Sequence, residues 1–185
     1  MNRPRLSLLL FLPIFSLSCK STTPPTATPV VEVQAHDQKF ENQSAGISFM
    51  YPSAWKVVST DPTQFRFVQN GKGETLELTL DVPKLPWHIP GLIPIDSVRD
   101  GYVDDVKKRM AGAKVTNLPD PALPDAKQHR VQLTGQINGK PAVNDAVMIV
   151  HNDKVYILSI ETDPAAYPQL KEKLDAVIAS LKWIR

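Results

Sequence analysis

The chain has 185 residues, a single cysteine and nearly balanced charge, with 21 Lys+Arg against 19 Asp+Glu. That length suits one domain of ordinary size, and one cysteine excludes an intramolecular disulfide and any Cys-rich zinc or iron–sulfur centre. A content of 42% hydrophobic and 22% charged residues is that of a globular domain and excludes a disordered or collagen-like chain.

Residues 1–18 have the make-up of an export signal: Arg3 and Arg5 open it, and residues 6–17 are apolar apart from Ser7, Pro13 and Ser16. The run falls short of the roughly 20 apolar residues that a membrane-spanning helix needs. It stops at Ser16-Leu17-Ser18-Cys19, which resembles the lipobox of bacterial lipoproteins, departing from it at Ser16, where that family prefers Leu. The resemblance implies that Cys19 is diacylated and becomes the new N-terminus, so that the protein is exported and lipid-anchored to a bacterial membrane, facing the periplasm or the cell exterior. Each buried acyl methylene contributes about 0.8 kcal/mol and stable anchoring takes two chains, so a multiply acylated Cys19 holds the protein for long periods. The alternatives for Cys19 are the end of an ordinary secretory signal or an incidental thiol. Removing residues 1–18 takes Arg3 and Arg5 with it, leaving 19 basic against 19 acidic residues. A neutral chain without a Lys/Arg block offers no electrostatic footprint for nucleic acid or anionic lipid.

Residues 19–38 read as a linker. Pro24, Pro25 and Pro29 remove backbone donors from the Thr-rich stretch 20–33, which favours extended backbone; at about 3.1 Å per residue it spans on the order of 40 Å. Pairing of residues 30–33 as an edge strand is the lesser alternative.

A folded domain is expected over residues 39–185. Ile47, Phe49 and Tyr51 alternate with polar or flexible neighbours, the signature of a strand. Trp55, Val57 and Val58 continue in extended form after Pro52-Ser53. Residues 64–69 lead through Asn70-Gly71 into residues 74–82, a hairpin whose second arm alternates Leu76, Leu78 and Leu80 with Glu77, Thr79 and Asp81. Four prolines in residues 83–94 make that apolar stretch a loop. Ile95, Val98, Tyr102, Val103, Val106 and Met110 then recur at helical spacing, with Asp96 or Ser97 placed to cap and Gly112 to terminate. Residues 114–117 form a short strand, residues 128–136 another, and Asn138-Gly139 marks a hairpin. Residues 142–151 and 154–161 flank a tight turn at His151-Asn152-Asp153, and the near-continuous apolarity of the second predicts a strand buried on both faces. A last helix is expected from about Pro164 to Trp183, with Leu170, Leu174, Val177, Ile178 and Leu181 on one stripe. Hairpins interrupted by two amphipathic helices predict an α+β sandwich, a mainly antiparallel sheet with a helix on each side.

Two stretches, residues 46–56 (GISFMYPSAWK) and residues 154–160 (KVYILSI) followed by the helix ending VIASLK at Lys182, resemble the Mog1/PsbP superfamily, in particular its bacterial PsbP-related or DUF1795-type lipoproteins. The resemblance rests on an aromatic strand entering a Tyr-Pro-x-x-Trp corner and on a closing strand, acidic turn and amphipathic helix. It implies an α/β/α sandwich and protein binding without established catalysis. Members include an extrinsic photosystem II subunit, a nuclear-transport factor and periplasmic lipoproteins; the export signal excludes the nuclear setting.

No segment carries GxSxG, SxxK, a P-loop or HExxH, so no catalytic site and no cofactor is signalled. His36, His88, His129 and His151 lie far apart, and the closest pairing, His151 with Asp153, fits a solvated turn better than a metal site. Asp104-Asp105 lie on adjacent helix positions about 100° apart, followed by Lys107, Lys108 and Arg109, and read as a solvated face. What remains is the apolar loop, where Trp87, His88, Ile89, Leu92 and Ile93 form a candidate surface for a protein partner, the other reading being a satellite core over the sheet edge. The expected role is therefore a non-enzymatic accessory or protein-binding lipoprotein assisting a membrane complex. A small-ligand carrier, with a cavity between residues 83–94 and a helix, or an enzyme with a site assembled from unlinked residues, are the rivals.

Overall fold

The structure is a computed structural model that describes residues 37–61, 63–70, 75–82 and 93–184. The export signal, Cys19, the linker up to residue 36, His36 and His88, and four residues of the proposed recognition loop (Trp87, His88, Ile89, Leu92) lie outside the described residues, while Asp37 and Gln38, expected in the linker, belong to a strand because they pair with Pro52 and Tyr51. Among the described residues no helix is long and apolar enough to cross a membrane.

The elements run β1 (Asp37–Asn42), β2 (Ile47–Pro52), β3 (Lys56–Asp61), β4 (Gln64–Asn70), β5 (Thr75–Asp81), α1 (Ile95–Arg109), β6 (Ala111–Leu118), β7 (Lys127–Ile137), β8 (Lys140–His151), β9 (Lys154–Thr162), α2 (Tyr167–Ala179) and β10 (Lys182–Trp183). Seven strands form one antiparallel sheet in the order β3-β4-β5-β9-β8-β7-β6, and β1, β2 and β10 form a second, smaller one. All three expected hairpin pairings are present: Asn138 and Gly139 have φ of 52° and 76° and Asn152 and Asp153 have 47° and 59°, the left-handed pair that joins tightly twisted strands, and β4 pairs with β5 from Asn70 opposite Thr75, with Gly71 outside the described residues.

The large sheet is covered on both faces, as the α+β sandwich requires. Alternation along β8 makes the division visible. Val147 and Ile149 point to the core that contains Leu170, Leu174, Val177 and Ile178 of α2; Ala146 and Met148 point to the core that contains Val103 and Val106 of α1. The small sheet joins the α2 layer through Ile47, Phe49 and Tyr51, and Phe40 of β1 packs its ring 4.9 Å from Phe49, 5.1 Å from Phe65 and 5.2 Å from Phe67. The Tyr-Pro-x-x-Trp corner closes this core. The Trp55 N–H donates to the Pro52 carbonyl at 2.9 Å, which turns the chain and seats the Trp55 indole at 2% exposure.

Both helices are shorter than their apolar periodicity, and each end has a physical cause. Helix α1 starts after Pro94, with no side-chain cap; Asp96 instead reaches His129, and Ser97 donates its N–H to the Pro94 carbonyl. It stops at Arg109, not at Gly112, because buried Met110 turns extended while its N–H still reaches the Val106 carbonyl. Gly112, at φ 65°, sits inside β6 where the register with β7 shifts. Opposite, a Cβ on Gly135 would stand 2.7 Å from Met110 Cγ and 2.8 Å from the Ala111 carbonyl, so only glycine lets this helix end and β6 pack there. Helix α2 begins at Tyr167, after Asp163 Oδ1 accepts the N–H groups of Ala165 and Ala166. It ends at Ala179, four residues before the expected Trp183. Ser180 ends it: Ser180 Oγ accepts the Met50 N–H at 2.8 Å, and the chain leaves to pair Lys182 with Ser48 and Trp183 with Ile47.

Candidate functional site

The end of the large sheet at the β8–β9 turn brings together left-handed turns, aromatic stacking and cavities. Three of the four non-glycine residues with left-handed φ among the described residues lie here: Asp125 at 57°, Asn152 and Asp153. All three are Asn or Asp, which adopt this conformation most readily among non-glycine residues, and Asn152 with Asp153 forms the tight β8–β9 turn itself. Residues 124 and 125 grip this end through successive carbonyls. Pro124 O accepts Trp183 Nε1–H at 3.1 Å and Asp125 O accepts His151 Nδ1–H at 2.8 Å, while His151 Nε2 accepts the Asn152 amide at 3.0 Å. With both nitrogens so engaged, the His151 ring lies flat on the Trp183 indole, 3.9 Å between centroids and 6° between planes. Lys154 Nζ donates to the Ser44 and Ala45 carbonyls, and Tyr156 OH donates to the latter at 2.7 Å. Two cavities flank the turn. One, of about 580 Å³, is bordered by Ile93, Lys127, Val150 and Asp153; the other, of about 480 Å³, by Gly46, Lys154, Tyr156 and Trp183. Both share Asp125, His151 and Asn152.

Of the candidate recognition residues, only Ile93 is described. It is buried, 7% exposed, and so offers no exposed patch of its own; it anchors the start of α1 against the sheet end. Two of the four histidines, His129 and His151, are described, and each has its own partners. His151 meets a carbonyl instead of Asp153, and His129 holds Asp96 on Nε2 at 3.0 Å and Asp120 on Nδ1 at 3.3 Å, one carboxylate on each side of the ring. Among the described residues no group of three His, Cys, Asp or Glu side chains is placed to hold a metal ion. Asp104 and Asp105 are exposed, with Asp105 3.6 Å from Lys108.

The polar residues that sequence reasoning missed are inside the protein. Asp145, fully buried on β8, accepts Arg130 Nε on Oδ1 at 2.9 Å and both Arg130 Nη2 and Tyr167 OH on Oδ2 at 2.8 Å. The same guanidinium donates Nη1 to Asp175 of α2 at 2.6 Å, and Lys171 closes the chain on Asp175 at 2.5 Å. Burial opposes the charge on Arg130, but Asp145 and Asp175 outweigh it and bind its proton more tightly than usual. The Tyr167 hydroxyl is pushed up to about 12 by burial and by its bond to Asp145. On the opposite face, Asn144 accepts Tyr102 OH of α1 at 2.9 Å and faces Glu161, which pairs with Arg109. Two adjacent residues of β8 thus each hold one helix by a tyrosine hydroxyl. The one signal for this in the sequence is an Asn-Asp pair inside the apolar run of residues 142–150.

Asp175 sets a pH response. Burial raises its pKa, but hydrogen bonds from Lys171 and Arg130 prevail and hold it below the usual 3.8. A carboxylate depressed in the folded state adds stability above its unfolded pKa and loses it as pH falls through the folded value. Melting temperatures of the wild type and Asp175→Asn are therefore expected to differ at neutral pH and to converge below about pH 4; a gap unchanged at low pH refutes the assignment.

Comparison with known proteins supplies the wider setting. No curated protein matches the chain in sequence. The fold is similar to the solution structure of cyanobacterial PsbP (CyanoP) from Synechocystis sp. PCC 6803, with a TM-score of 0.58 and 15% identity over 87% of this chain and 99% of that one. It is also similar to LpqN, involved in cell envelope biogenesis of Mycobacterium tuberculosis, with a TM-score of 0.55 and 14% identity over 81% of this chain and 91% of the other. The PsbP family model matches residues 35–183, a range that contains every element from β1 to β10, and the chain belongs to the PsbP family.

Proposed function

We propose that this protein is an exported, membrane-tethered accessory lipoprotein of a bacterial cell envelope, whose PsbP domain binds a protein partner and performs no catalysis. The observation that carries the reading is the family match over residues 35–183, placed directly after an export signal, Cys19 and a proline-rich spacer. A domain joined in this way to two acyl chains stands off the membrane on a tether, positioned to meet a membrane complex. The similarity to LpqN, a protein of cell envelope biogenesis, supports the same compartment. The internal polar network supports a binding role over chemistry, since Arg130, Asp145 and Tyr167 spend their hydrogen bonds on one another. In this reading the loop of residues 83–94 recognises the partner through Trp87, His88, Ile89 and Leu92, with Ile93 as its buried anchor. Because the mature chain is formally neutral, contact is made by shape and apolar surface.

Fractionation of cells producing the full chain tests the tether. The wild type is expected in the membrane fraction, and Cys19→Ser in the soluble fraction with altered gel mobility; unchanged membrane association and mobility overturn the lipoprotein reading. Crosslinking in the same envelopes tests the loop. Trp87→Ala is expected to lose a reproducible crosslinked partner while keeping its melting temperature, whereas a large fall in melting temperature assigns Trp87 to packing.

A further inference from the structure

We propose that two copies of this chain pair edge to edge through β6, joining their large sheets about a two-fold axis at Thr116. Among the described residues, strand β6 is the terminal strand of the large sheet, hydrogen-bonded to β7 on one side and to no strand on the other. An uncovered edge strand presents a row of backbone donors and acceptors that a second strand can complete. Six of the eight residues of β6 are exposed, Lys114, Val115, Thr116 and Asn117 in one run among them, and Val115 keeps 40% of its surface.

The strand itself selects the register. Regular pairing with β7 runs unbroken only from Lys114 to Leu118, because the register shifts between Ala111 and Lys114. Pro119, which has no N–H, closes the other end. An antiparallel partner that uses all five residues must centre on Thr116. Thr116 then faces Thr116 of the other copy, Val115 faces Asn117, and Lys114 faces Leu118, so no charge opposes a like charge. Paired threonines are among the favourable cross-strand contacts. The antiparallel run also carries each Lys114 toward the end where the other copy's Asp120, 43% exposed at its side chain, lies beyond Leu118. The opposite edge is less suited, since β3 pairs regularly with β4 only over Lys56, Val57 and Val58 before its own irregularity. Pairing β6 with itself also closes into a dimer, while β6 on β3 would propagate without end.

Cysteine scanning in cells producing the full chain tests both the pairing and its register, with the parent chain reporting any link through Cys19. A two-fold axis at Thr116 places the two Thr116 Cβ atoms about 4.5–5.5 Å apart, whereas two Lys114 or two Leu118 positions stand about 14 Å apart, four residues along the strand. Mild oxidation is expected to give a reducible dimer of Thr116→Cys, roughly ten-fold above Lys114→Cys or Leu118→Cys alone, given the short Cα separation a disulfide requires. Co-production of Lys114→Cys with Leu118→Cys is expected to restore the link. Lys114 and Thr116 are exposed and Leu118 is half-buried, and a circular dichroism melt checks that each single cysteine leaves the fold in place. Equal linking at all three positions, linking that peaks instead at Val57→Cys on β3, or no dimer above the parent chain overturns the proposal.

Discussion

Asp145→Ala should destabilise the domain by about 3–5 kcal/mol, the cost of breaking a buried ion pair and stranding its partner. Asp145 is fully buried and Arg130 is 9% exposed, so after the substitution the guanidinium keeps only Asp175 and loses both of its bonds to Asp145. Tyr167 loses its acceptor as well, which frees the first turn of α2 from β8. The companion variant decides the cause. Replacing the pair together, Arg130→Met with Asp145→Leu, removes the stranded charge and fills the same space with apolar atoms, a change that is often neutral or stabilising. Asp175 still has Lys171 at 2.5 Å in that variant. Urea unfolding should therefore show the single substitution well below the double one. If Asp145→Ala costs under about 1 kcal/mol, or the double variant is as unstable as the single, the network is not what holds α2 to the sheet.

Trp55→Ala should cost about 3–5 kcal/mol, the range for emptying a large aromatic from a packed core. The indole is 2% exposed in the core formed by β2, β4 and α2, its N–H donates to Gln69 Oε1 at 2.9 Å, and Lys173 of α2 lies 5.4 Å from the ring centroid while donating to the same Gln69 oxygen. Trp55→Phe keeps most of the apolar volume and loses the N–H, and Gln69 Oε1 keeps Lys173. That variant should cost nearer 1 kcal/mol. Guanidinium midpoints of the two variants separate filling from hydrogen bonding: equal losses in both would show that the indole N–H, and not ring burial, carries the corner.

Single strands and tight turns were legible because their chemistry is local. Alternation in residues 47–51, a left-handed turn at Asn138-Gly139 and an unbroken apolar run in residues 154–160 each predict one element, and each is present. The small sheet was not legible as such. Leu181 and Trp183 continue the helical spacing of α2, and only the contact of Ser180 with Met50, 130 residues away in the chain, shows that the chain has left the helix. Position 37 joins β1 for a similar reason, through its pairing with Pro52. The candidate site was least legible of all. His151, Trp183 and Asp125 meet only because the β8–β9 turn, the C-terminal strand and the segment after β6 end at one place, and Arg130, Asp145 and Asp175 are gathered from two strands and a helix.

Adjacency of Asn144 and Asp145 carries a further consequence for how β8 finds its place. Apart from these two, residues 142–150 are apolar on both faces, and such a strand, moved by one position, would bury nearly the same surface. A one-residue slip sends every side chain to the opposite face. Slipped one way, β8 would set the Asp145 carboxylate against Tyr102 and beside Glu161 and leave Arg130 facing Ala146; slipped the other way, it would leave Arg130 facing the Asn144 amide. Two polar residues in the middle of an oily strand therefore act as a combination lock, in which only one alignment of β8 lets both tumblers fall.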